Sequence, residues 1–144
     1  AAMGLVQLGK LEALNDVRRE NAKKLTAIIN KHPNYLSTLV IQEDVIPGYY
    51  GFPIYLAPNS EMTRNEFCAQ LEEFSIETRP NMGGCLPDQP GFIGRNHRIH
   101  GALENARLIR DHALFIGVHS GLSEENFNNF DNALEVIFSG IKQR

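Results

Sequence analysis

The chain has 144 residues, 42% hydrophobic and 22% charged, with a net charge of −3. That length fits one domain able to bury roughly 70% of its unfolded surface without staples, and the acidic balance excludes a general attraction for nucleic acid or anionic membrane. Cys68 and Cys85 are too few for a disulfide framework, and no Cys or His pair has zinc-ligand spacing. With no apolar run of about 18 residues and no basic-then-apolar leader, a soluble, cytoplasmic protein is expected.

The chain opens AAMGLVQLGKLEALNDVRRENAKKLTAIINKHP, helical in composition from its first residue, with no capping residue ahead, and reads as cut from something longer. Leu5, Leu8, Leu11, Leu14 and Val17 recur every three residues. A helix turns in about 3.6, so this stripe drifts round the axis and its ends face different neighbours. Leu5, Leu8 and Leu11 are expected to leave an exposed apolar patch. Beyond Val17 the apolar positions are Ala22, Leu25, Ile28 and Ile29, interleaved with Arg18, Arg19, Lys23 and Lys24. Those cations read as a solvated basic face near the helix C-terminus, and Pro33 ends the helix.

Residues 35–42 (YLSTLVIQ) and 49–56 (YYGFPIYL) read as strands, the second with Tyr50, Phe52, Ile54 and Leu56 on one side and with Pro53 placing it at an edge or a bulge. Thr63 and Glu66 form a capping box that starts a helix carrying Phe67, Leu71 and Phe74. Ser75 to Arg79 is a short strand or extended exit. Residues 80–111 show little periodicity apart from LENARLIR, which suits one or two helical turns; His112 to His119 suits a buried strand. Ser123 then caps a last helix, with Phe127, Phe130, Leu134 and Phe138 as its buried stripe. Helices and a mostly antiparallel sheet in alternation predict a single two-layer α+β domain over residues 1–144.

No GxSxG, P-loop, GxGxxG or HExxH is present. Lys10, Lys23, Lys24, Lys31 and Lys142 all fall on helical or terminal surfaces, none in an apolar setting that would lower an amine pKa. The exception is the loop TRPNMGGCLPDQPGF, residues 78–92, together with the cations downstream: Arg79, Arg95, His97, Arg98, His100, Arg107 and Arg110. Guanidinium groups pair bidentately with phosphate, and Gly83 and Gly84 let backbone N–H groups approach an anion, so a phosphate-bearing small molecule fits this loop. The competing reading pairs these arginines with Asp88, Glu104 and Asp111. Cys85 near His97 and His100 is a candidate nucleophile or an inert packed thiol. His119, ending a strand, is a candidate site residue or simply a hydrogen-bonded histidine.

The opening segment resembles the junction in the DegT/DnrJ family of PLP-dependent nucleotide-sugar enzymes where the large cofactor domain gives way to the small C-terminal domain. The residues carrying the likeness are Gly4, Leu5, Gln7, Leu8, Leu11, Arg18, Arg19 and Asn21. The loop is similar to the 3-dehydratase branch at Thr78, Arg79, Gly84, Leu86, Gln89, Pro90, Gly94, Arg95 and Arg98, and the likeness continues through Gly101, Leu103, Asn105, Ile116, Gly117, Gly121, Leu122, Ser123 and Glu125. The chain departs from that pattern at Cys85, where Asn is usual, and at Asp88, where Arg is usual.

The resemblance implies the small C-terminal domain of a fold-type I enzyme, homodimeric, with PLP or PMP held by a large domain upstream. That domain carries the deciding residue, a Lys in aminotransferases or a His in dehydratases. It further implies that this domain closes over the active site and helps seat a nucleotide sugar through Arg79, Gly83, Gly84, Gln89, Arg95 and Arg98, and that alone it binds no cofactor and catalyses nothing. A different class of reading also stands: a free-standing binding module for a phosphorylated ligand or a partner protein.

Overall fold

The computed structural model of the chain describes residues 2–141. The opening helix is broken, not continuous: α1 spans Ala2–Leu8 and α2 spans Leu11–Ile29, joined by a tight turn at Gly9 and Lys10. Gly9 stands at the break, and glycine is the residue that costs a helix most after proline; the drifting leucines Leu5, Leu8 and Leu11 remain exposed on either side of it. α1 buries none of its residues, whereas α2 buries Asn21, Ala22, Leu25, Ile28 and Ile29.

The basic residues of α2 lie in its middle, and its last turn has none, so the helix dipole is not what places them. Acidic partners are: Arg19 pairs with Asp16, Lys23 with Glu20, and Lys24 with Glu124.

The sheet consists of β1 (Leu36–Ser37), β2 (Phe52–Leu56), β3 (Thr78–Pro80) and β4 (Ala113–Ile116), in the order β1-β2-β4-β3, every pairing antiparallel. The strands are shorter than the sequence runs. Residues 38–50 leave the ladder, and the stripe on β2 begins at Phe52, with Phe52, Ile54 and Leu56 buried and Tyr50 exposed. Pro53 sits in an interior strand, which corrects the edge expectation, yet it breaks no ladder. Its carbonyl faces the β1 side, where it accepts from the Thr38 hydroxyl at 2.7 Å. β1 has already ended there, so no partner needs the N–H that proline lacks.

α3 (Arg64–Glu73) starts at the expected capping box: the Thr63 backbone N–H donates to Glu66 Oε2 at 2.7 Å and the Glu66 N–H donates to Thr63 Oγ1 at 3.3 Å. α4 (Glu104–His112) is longer than the one or two turns expected and leads directly into β4. α5 (Glu124–Ile141) follows Ser123, whose backbone N–H and hydroxyl both donate to Asn126 Oδ1, at 2.8 and 3.0 Å. The core joins α2, α3 and α5 to the sheet through Leu25, Ile29, Ile54, Phe67, Leu114 and Phe138, among others. All four residues of the expected α5 stripe are buried. This is an α+β fold with a four-stranded antiparallel sheet.

Candidate functional site: a cleft at the β3 edge of the sheet

An open cleft of about 1030 Å³ lies where β3, the exit of β4 and the first turns of α5 meet. Its walls are apolar at Leu25, Phe115, Ile116, Phe127 and Phe130, with Glu77, Arg79, His119, Asn126 and Asn129 among its polar groups. Such a mixture of apolar wall and few polar side chains is what small-molecule sites present.

Each feature has a local cause. Gly51 stands against Phe115; a β-carbon there would lie 2.3 Å from the ring, so glycine makes room for that aromatic wall. Tyr50 then meets Phe115 edge-on, ring centroids 5.9 Å apart. Ser75 and Met82 both line the cleft in left-handed backbone, at φ 59° and 52°. For a residue with a side chain that conformation is uncommon, and at Ser75 it serves to close α3.

His119 sits on the turn after β4. Its carbonyl accepts from the side-chain amide of Asn21 at 2.9 Å, and its Nδ1 accepts from the backbone N–H of Gly121 at 3.1 Å. Among the described residues Asn21 is the one polar residue in the buried set, and this bond is how α2 secures the turn.

Of the six residues singled out from the sequence, Arg79 alone lines the cleft, and it is paired with Glu77 on the exposed outer strand. Gly83 and Gln89 serve the loop itself: Gln89 Nε2 donates to the Gly83 carbonyl at 2.6 Å. Gly84 has φ +56°, and a β-carbon there would lie 2.7 Å from Arg110 Cβ, so it packs the loop against α4. Arg95 folds back on the Gly91 carbonyl at 2.7 Å, and Arg98 is exposed and engages no described residue.

The pairing reading holds for the two downstream arginines. Arg107 Nε donates to Asp88 at 3.0 Å, Arg110 Nη1 to the same carboxylate at 2.5 Å, and Arg110 also reaches Asp111 at 2.7 Å. The hydrogen bond from Arg107 holds the Asp88 carboxyl below the usual carboxylate range, and that from Arg110 does the same to Asp111. Glu104 takes no part in these ion pairs.

Cys85 is 1% exposed and His97 is bonded to the Arg95 carbonyl at 2.8 Å. The packed-thiol reading therefore describes Cys85 better than the nucleophile reading. Lys10, Lys23, Lys24 and Lys31 are all absent from the cleft wall, and Lys142 lies outside the described residues. Among the described residues no His, Cys, Asp or Glu cluster could hold a metal ion, and no helix is long and apolar enough to cross a membrane. Tyr50, Phe115 and Asn21 were not recognisable as site residues in the sequence. Gly51, Gly117 and Gly121, each set against an aromatic or imidazole ring, were the available signal.

The profile of the DegT/DnrJ/EryC1/StrS aminotransferase family matches residues 1–135. The chain belongs to that family. It is 31% identical over 138 residues to the lipopolysaccharide biosynthesis protein RfbH of Salmonella typhimurium, covering 96% of this chain and 32% of RfbH. It is 30% identical over 125 residues to the dTDP-4-dehydro-2,6-dideoxy-D-glucose 3-dehydratase of Saccharopolyspora spinosa, covering 87% of this chain and 27% of that enzyme. Its fold is similar to that of the E. coli GDP-4-keto-6-deoxy-D-mannose-3-dehydratase with bound hydrated PLP, with a TM-score of 0.80 and 27% identity over 92% of this chain and 34% of that one. This DegT/DnrJ chain spans about a third of the length of the relatives it matches.

Proposed function

We propose that this DegT/DnrJ chain is the small C-terminal domain, over residues 1–144, of a PLP- or PMP-dependent nucleotide-sugar enzyme, on the 3-dehydratase side of the aminotransferase/dehydratase divide. The observation that carries the reading is the surface this chain leaves bare. It exposes 9950 Å² for a mass of 16.2 kDa, where a compact monomer of that mass exposes about 7500 Å². The excess is of the size that a permanent interface covers. It is rich in apolar side chains: Leu5, Leu8, Val40 and Ile46 are 72%, 64%, 94% and 80% exposed. These are the surfaces a large domain of the same chain, or its dimer mate, would cover. The dehydratase side is favoured because 3-dehydratase is the reaction that the names of the S. spinosa and E. coli proteins state.

In this reading the loop from Arg79 to Arg98 faces the nucleotide sugar. Arg79 stands at the cleft, Arg95 follows the exposed turn at Gly94 with Arg98 in the exposed stretch after it, and Gly83, Gly84 and Gln89 keep the loop in shape. In this reading the cofactor belongs to the large domain that the family likeness places upstream. The enzyme would work in the cytoplasm as a homodimer, in deoxysugar or lipopolysaccharide biosynthesis.

The test is the complete reading frame that encodes this chain, expressed and supplied with PLP and a nucleoside-diphosphate 4-keto-6-deoxysugar. The expected product lacks its 3-hydroxyl; an amino sugar would move the protein to the aminotransferase side. Arg79→Ala is expected to raise KM more than it lowers kcat. A start codon immediately before Ala1 would overturn the reading.

A further inference from the structure

His119 is hydrogen-bonded in a way that decides where its proton sits. A neutral imidazole has one protonated nitrogen, and the nitrogen that accepts a backbone N–H is the bare one. The Gly121 N–H donates to Nδ1, so the proton is on Nε2. Nε2 makes no hydrogen bond to any described residue, and the side chain is exposed on the cleft wall. The ring is also held in place. β-Carbons at Gly117 and Gly121 would lie 3.3 and 3.2 Å from it, and Asn21 fixes the backbone beneath.

A second cleft residue offers the same kind of group. The Oδ1 of Asn126 is engaged by the Ser123 N–H and hydroxyl, which leaves its NH2 group as the available one. With Arg79, the cleft offers three donors; its acceptors are Glu77, paired with Arg79, and the amide oxygen of Asn129, whose NH2 group donates to the Phe74 carbonyl at 2.8 Å. A phosphoryl oxygen, which only accepts, suits the three donors.

We propose that His119 is a ligand-binding residue of this cleft, presenting one fixed, uncharged Nε2–H donor to a phosphoryl oxygen of the diphosphate while Arg79 supplies the charge. The proposal rests on the nucleotide-sugar reading above and assigns a residue that reading did not use.

The experiment is a long-range 1H–15N spectrum of the histidine rings in this 144-residue chain, free and titrated with inorganic pyrophosphate, GDP or TDP. The free chain is expected to show His119 as the Nε2–H tautomer, with its Nε2 signal shifting on binding. His119→Gln keeps an N–H donor at that reach, and His119→Asn keeps the acceptor for Gly121 while its NH2 group falls short of the Nε2 position. The Asn variant is expected to bind about three- to tenfold more weakly, the worth of one hydrogen bond, and the Gln variant within about twofold of wild type.

An Nδ1–H tautomer in the free chain, wild-type affinity in the Asn variant, or an equal loss in both variants would overturn the proposal. If the ligands shift the Arg79 guanidinium signal and leave His119 unmoved, the His119 assignment fails and the role of Arg79 stands. If they shift neither, the cleft loses its ligand role altogether. The tautomer is read in the wild-type chain, so a variant that fails to fold does not shelter the proposal.

Discussion

Ser75 closes α3 with the two hydrogen bonds of a Schellman turn: its own N–H to the Glu72 carbonyl at 2.9 Å and the Ile76 N–H to the Leu71 carbonyl at 3.1 Å. Glycine is the usual occupant because the turn needs left-handed backbone. Ser75→Gly is therefore expected to raise stability by roughly 1 kcal/mol in denaturant titration; an unchanged midpoint would show that the serine conformation carries no strain. Gly84 is the opposite case. Its positive φ and the closeness of Arg110 leave no room for a methyl group, so Gly84→Ala is expected to cost 1 kcal/mol or more, at about the upper end for such a site. Asp88 gives a pH signature. Its folded-state pKa is lowered by the Arg107 hydrogen bond, so its contribution is complete above the unfolded carboxyl pKa of about 3.9 and is lost as pH falls through the folded value. The melting-temperature gap between wild type and Asp88→Asn should be steady near neutral pH and close in acid. A gap that persists unchanged in acid would exclude the ion pairs as its source.

At the scale of elements, α1 and α2 divide a single stretch of helical sequence into a part that folds on the core and a part that waits for a neighbour. Because α1 buries nothing, deleting residues 1–8 should leave the thermal unfolding of the rest within a degree or two of wild type, by roughly the rule that fully exposed groups contribute little. Leu25, 2% exposed on α2, is the contrast: Leu25→Ala should cost about 2–5 kcal/mol. Equal effects from the two changes would mean that α1 packs on the core in solution. The 3.6-residue mismatch of its leucines made the exposure of α1 readable, whereas the break at Gly9 was not, since glycine inside a helical pattern is often tolerated. The second strand shows the reverse. Its alternation marked Phe52, Ile54 and Leu56 correctly, but its position inside the sheet depends on β4 arriving from some 60 residues away, which no local pattern specifies.

Across the whole molecule, the bare apolar surface should be detectable without any ligand. The folded chain is expected to enhance the fluorescence of a hydrophobic dye such as ANS at neutral pH, and Val40→Ser with Ile46→Ser should reduce that signal while leaving the melting temperature unchanged. No dye binding by a chain with intact near-UV dichroism would mean that these surfaces are already covered, for instance by self-association.

By itself the sequence determined the helices with strong periodicity or caps, the alternation of β2, the buried stripe of α5 and the family likeness. Each of these is set within a few turns or strand repeats of chain, where propensity, capping and hydrophobic period act directly. Tertiary structure alone decided which residues share the cleft. The loop that looked like a phosphate cradle is largely engaged with itself and with α4, because Asp88 and Gly84 find Arg107 and Arg110 from 19 to 26 residues away. The backbone of His119 is held by Asn21, 98 residues distant along the chain. Contacts of that range depend on how the elements pack, and that packing brings Arg79 and His119 to the lining of one cleft.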